Sequence, residues 1–150
     1  MTIREEAEYH RLLLAMGINR PEDVIAWADQ LLLLKSVPIE VINVSLAAQA
    51  KDYELDTLLT KVGGEGDLAL AAHAALGRLE PLLHDLPLAD AVNKLVAYGS
   101  TARVPQTEHE AATLLRDLYE DMLDGHCGSE QELWQTIRDF INRHAQDLYL

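Results

Sequence analysis

Apolar residues recur along this chain at spacings of three and four, with polar residues between them, and Gly or Pro interrupts the pattern repeatedly. That period puts one apolar stripe on the face of an amphipathic helix, and no alternation of useful length points to strands. The clearest case is Gly17 to Leu34, GINRPEDVIAWADQLLLL: a turn, then a helix with Val24, Trp27, Ala28 and Leu31 on one face. Gly17 suits the position just past a helix end, where a left-handed backbone stops the preceding turn. Pro21 suits the first helical position, because its missing N–H would have no partner there, and Glu22 and Asp23 meet the positive end of the helix dipole. Arg20 stands at the cap, where Ser or Asp would serve better, so Asn19 is the expected substitute.

The remaining elements follow in the same way. A first helix runs from about Ile3 to Met16, with Ile3, Ala7 and Leu14 on its stripe and Glu5 and Glu8 off it. Pro38 opens a third helix with Ile39, Ile42 and Leu46 inward, and Leu55, Leu58, Leu59 and Val62 define a short fourth. Gly63-Gly64-Glu65-Gly66 is a loop; it lacks the Lys-Ser/Thr of a phosphate-binding loop and follows no strand. Asp67 caps a fifth helix carrying Leu68, Ala72, Leu76, Leu79 and Leu83, which Pro81 should kink or split. Pro87 starts a sixth helix ending near Gly99, and Ser100 to Thr107 is the longest polar connector and the candidate subdomain boundary. A seventh helix from about Glu108 to Leu123 carries Ala111, Leu115, Leu118 and Met122 on one side. Ser129 to Glu132 forms a capping box, and Leu133, Ile137, Phe140, Ile141 and Leu148 make the apolar side of the last helix. The expectation is a single all-α domain of about seven or eight short helices, as a compact bundle or an irregular, solenoid-like stack.

Composition narrows the function classes. At 150 residues with 49% apolar content the chain can bury a core without a disulfide or metal staple. Its net charge of −13 repels nucleic acid and anionic lipid and attracts basic surfaces. The single cysteine, Cys127, has no internal partner, the opening MTIREEAEYH is charged, and the apolar run Leu68 to Leu76 is too short to span a bilayer. A cytoplasmic protein that binds neither nucleic acid nor membrane is expected.

Candidate chemistry is sparse. His73, Glu80 and His84 share one helical face, yet His73 and Glu80 lie roughly 10.5 Å apart at 1.5 Å per residue, too far for one ion. Two ligands disturbed by Pro81 do not complete a site, so no metal and no cofactor are expected. His126-Cys127 lacks an orienting third group, and Ser45 and Ser100 carry no nucleophile signature, so no catalytic residues are assigned. The broad signal is acidic. From Val104 to Leu150 ten acids, Glu108 and Asp147 among them, face three bases, a net charge of −7. Glu110, Asp117, Asp121 and Asp124, separated by 7, 4 and 3 residues, stack as a ridge on one helix with Glu120 beside it. Trp27 and Trp134 fall near apolar stripes, and Trp134 beside Glu130 and Arg138 is the candidate anchor for a partner.

Gly17-Ile18, then Pro21-Glu22-Asp23-Val24-Ile25-x-Trp27-Ala28-Asp29, Pro38 to Ile42 and Ser45-Leu46-Ala47, cover about the first third of the chain. This pattern resembles the opening of a group of small bacterial helical proteins, some of which are regarded as immunity partners of secreted toxins. Arg20 departs from the capping Ser usual in that group. These residues read as helix starts and core, so the resemblance implies fold more than activity. The favoured function is a non-enzymatic protein-binding module, such as an immunity-type inhibitor, that meets a basic partner through Glu110, Asp117, Glu120, Asp121, Asp124 and Trp134. The alternative is a small helical enzyme or ligand-binding protein with an inter-helix pocket using His73, Glu80 or His84. A structural adaptor or homodimer is a third class.

Overall fold

The computed structural model describes residues 1–145, so Asp147 and Leu148 lie outside the described residues. The fold is all-α, with eight α-helices, one short 3-10 helix and no strand among the described residues. In order they are α1 (Ile3–Ala15), α2 (Pro21–Leu31), α3 (Ile39–Ser45), α4 (Asp52–Thr60), α5 (Leu68–Leu79), the 3-10 helix Glu80–Asp85, α6 (Leu88–Gly99), α7 (Gln106–Leu123) and α8 (Glu130–His144). The chain groups into two compact units, Met1–Ala71 and Ala72–Leu150, with the connector 100–107 inside the second. No helix among the described residues is long and apolar enough to cross a membrane.

In the first unit α1 packs on α4 and α2, and α3 packs on α2 and α4. Their shared core holds Ala7, Leu14, Val24, Ala28, Val41, Val44, Leu55, Leu59 and Val62. Local signals read from the chain hold at the α1–α2 junction: Gly17 has φ +67° and Pro21 is the first residue of α2. The cap is different from the expectation. Asn19 turns away to His10 Nδ1, 2.9 Å from its Nδ2, and the exposed N–H of Arg20 donates to Asp23 Oδ2 instead. A capping box also opens α1: Thr2 Oγ1 accepts from the N–H of Glu5, whose carboxylate accepts from the N–H of Thr2. The residues of the α2–α3 motif serve the fold. Ser45 Oγ donates to Asp29, Trp27 Nε1–H donates to Glu6 Oε2, and Val24 and Ala28 are fully buried.

Three expectations fail here, one of them Glu5, placed off the stripe of the first helix but buried, its carboxylate accepting from the N–H groups of Thr2 and Asp67. α3 is only seven residues long and buries Val41 and Val44, leaving Ile39 67% and Leu46 78% exposed. At 100° per residue Ile39 and Leu46 lie about 140–160° around the helix from Val41, so burying one set excludes the other. Glu8, placed off the apolar stripe of the first helix, is 2% exposed because Arg11, equally buried, grips it through two hydrogen bonds. A charge enters a core when a partner of matched geometry enters with it.

In the second unit α6 packs on α7 and α8, and α7 packs on α8. Pro81 splits the fifth helical segment as expected, ending α5 at Leu79 and leaving a 3-10 turn. Ser129 Oγ accepts from the N–H of Glu132, and Leu133, Ile137, Phe140 and Ile141 are buried as the stripe required. The buried side of α7 is only partly the expected one: Leu115 is inside as expected, but with Glu108 and Ala112, while Ala111, Leu118 and Met122 are half-buried.

The α6–α7 contact is closest at Gly99, where an added Cβ would stand 2.3 Å from the Ala112 Cβ. Helix propensity alone would favour Gly99→Ala by about 0.5–1 kcal/mol, but neither Cβ can rotate away, and overpacking of this kind costs about 1–3 kcal/mol. Net destabilisation is therefore expected in urea unfolding, and Ala112→Gly should restore most of it. A Gly99→Ala chain more stable than the parent would show that the two helices part freely.

Candidate functional site

The acids singled out on α7 are on the surface. Glu110, Asp117, Glu120, Asp121 and Asp124 are all exposed, Glu110 accepting from Gln106 Nε2 and Asp117 standing 3.6 Å from Arg116. Leu114 belongs to the same row and is 56% exposed. Trp134 is half-buried on α8, where it lines a cleft of about 470 Å³ with Leu83, Leu86, Ile141, Glu80, His84 and Arg138. Glu80 and His84 are thus together, but His73 is not with them.

His73 instead meets residues that no sequence spacing connects to it. Glu108, counted among the surface acids from its sequence, is 1% exposed in the second unit. Tyr98 OH on α6 donates to Glu108 Oε1 at 2.8 Å, and His73 Nε2 on α5 lies 3.3 Å from the same oxygen. His144 Nδ1, at the end of α8, stands 3.9 Å from it. One donor atom from each of His73, Glu108 and His144 lies within 4.8 Å of the other two. The ring of His144 packs on Phe140 at 4.9 Å between centroids, and Phe140 meets Tyr98 edge-on. Burial lowers the pKa of His144, with the Glu108 charge opposing that shift. The ring is therefore held toward its neutral form, which offers a nitrogen lone pair. His144 also lines a cleft of about 250 Å³ that includes Leu95, Leu114, Asp139 and Arg143.

Part of this cluster had a signal in the sequence. His144 follows Ile137 by seven residues and falls in phase with the buried stripe of α8, and Glu108 precedes Ala112 by four and Leu115 by seven. A titratable residue in phase with buried apolar ones marks a group the fold must satisfy internally. Which groups would converge was not legible, because 35 residues separate His73 from Glu108 and 36 separate Glu108 from His144.

Elsewhere, Cys127 is exposed in the α7–α8 loop. A cleft of about 670 Å³ in the first unit is lined by Leu46, Tyr53, Leu58 and small residues, with Glu54 as its one carboxylate. No family model, no curated protein and no solved structure matches this chain.

Proposed function

We propose that the chain is a non-enzymatic protein-binding module that captures a basic partner through α7, in the manner of an immunity-type inhibitor of a basic toxin. The observation supporting it is the make-up of one helical face. Glu110, Leu114, Asp117, Asp121 and Asp124 are all exposed and fall within about 80° of arc at 100° per residue. Carboxylates stacked at this spacing repel one another by a few tenths of a kcal/mol per pair, a cost that a basic partner relieves. An exposed leucine in their midst supplies the apolar contact that loses water on docking, while the charges steer the encounter. The opening of the chain resembles a group of small bacterial helical proteins, some of which are regarded as immunity partners of toxins, and is compatible with the same class.

The test starts with the immobilised full chain and lysate of its source organism, at low and raised salt, with retained proteins identified by mass spectrometry. A basic protein held at low salt and released at high salt is expected, since exposed charges are screened beyond about 8–10 Å at physiological ionic strength. Against that partner, Asp117→Lys with Asp121→Lys should slow association at least about tenfold at low salt. Leu114→Ala should act mainly on dissociation. A partner whose association rate ignores the charge reversal would remove α7 from the mechanism.

A further inference from the structure

We infer that His73, Glu108 and His144 form a binding site for a divalent transition-metal ion of the zinc class. The inference is independent of docking through α7. Two imidazoles and a carboxylate are a donor set that suits zinc and its first-row neighbours rather than magnesium or calcium, which take oxygen ligands. A tetrahedral ion with bonds of about 2.0–2.1 Å separates its ligand atoms by about 3.3–3.4 Å. His73 Nε2 and Glu108 Oε1 are already 3.3 Å apart, while His144 Nδ1, 3.9 Å from that oxygen and with all three donor atoms within 4.8 Å of one another, has to move inward to complete the set.

Ordinary satisfaction of a buried acid accounts for only part of this arrangement. Glu108 Oε1 accepts from Tyr98 OH at 2.8 Å, and His73 Nε2 faces the same oxygen at 3.3 Å. His144 then stands beyond hydrogen-bond reach of that oxygen, yet Phe140 packs its ring in place there. An ion between the three would engage all of them. Tyr98 would orient the ligating carboxylate, as outer groups do in metal sites. The side chains of His73 and His144 keep 22% and 17% of their surface, which gives an ion a route in. Three protein ligands leave a fourth position for water, the pattern of sites that polarise or activate a bound molecule.

The full chain, stripped with chelator and dialysed, would be titrated with Zn²⁺ by calorimetry, with Co²⁺ as a spectroscopic probe of geometry. One ion per chain is expected, with the visible absorption of a four-coordinate Co²⁺ centre. His73→Ala, His144→Ala and Glu108→Gln should each lose more than the roughly 10–100-fold that follows loss of an outer-shell group, and Tyr98→Phe should fall in that range. His84→Ala should bind as the parent does. Far-UV circular dichroism checks each fold, and His144, the last residue of α8, can be replaced without opening the core. Absence of saturable one-to-one binding by the folded parent overturns the site. So does binding that His73→Ala and His144→Ala both leave intact, which would place the ion on exposed groups such as His126 and Cys127.

Discussion

Arg11→Ala is expected to destabilise the fold by about 3–5 kcal/mol, because it strands the Glu8 carboxylate in the core without its partner. Both side chains are 2% exposed. The guanidinium donates from Nε to Glu8 Oε2 at 2.9 Å and from Nη2 to Oε1 at 2.5 Å. A further bond from Nη1 reaches Asp56 Oδ1 on α4 at 3.1 Å, so the same side chain ties α1 to the helix it packs on. The pair itself need not add that much stability, since desolvating two ions offsets most of their attraction. Hence Glu8→Leu combined with Arg11→Met should recover most of what Arg11→Ala loses. Urea unfolding followed by circular dichroism would measure both. A loss under about 1 kcal/mol for Arg11→Ala is the value of a surface pair and would mean that water reaches Glu8.

Acidification should weaken the first unit through His10. Burial lowers its pKa from 6.5 to about 4, against a smaller opposing pull from Asp23. Its ring lies 5.0 Å from that of Trp27, and donation from Asn19 Nδ2 to its Nδ1 requires that nitrogen to be unprotonated. Between the two pKa values the unfolded chain binds a proton that the folded chain refuses, so stability rises with pH there. The effect is absent above the unfolded value and complete below about pH 4, where it reaches on the order of 3 kcal/mol. Already at about pH 5.5 it should amount to about 1.3 kcal/mol. Carboxylates titrate in the same region, so the informative quantity is the stability difference between the parent and His10→Gln. That difference should shift in favour of the variant as pH falls from about 7.5 to about 5.5. A difference that stays constant would show that His10 titrates normally in the folded chain.

Much of the fold was written locally. Helix content, the stops at Gly17 and Pro81, the starts at Pro21 and Pro87 and the stripe Leu133, Ile137, Phe140, Ile141 each depend on a few neighbouring residues. The exposure of Glu110, Asp117, Asp121 and Asp124 was equally legible, since four carboxylates stacked on one face admit no common burial. Where two faces of one helix were both apolar, the chain was ambiguous. In α3, Val41 and Val44 competed with Ile39 and Leu46, and only the presence of α2 and α4 on one side chose between them.

Charged residues in the core were the larger surprise. A carboxylate such as Glu8 or Glu108 reads as surface unless its partner is known, and the partner can be three residues away or ten. For Glu8 the partner lay within one turn, so an i,i+3 pair on the stripe side was a fair clue. For Glu108 only the packing of α5, α6, α7 and α8 around one carboxylate oxygen brought Tyr98, His73 and His144 together. Periodicity specifies which face of each helix turns inward, because burial is local and cumulative. Convergence of side chains from distant helices depends on how those faces dock, and no spacing along the chain encodes it.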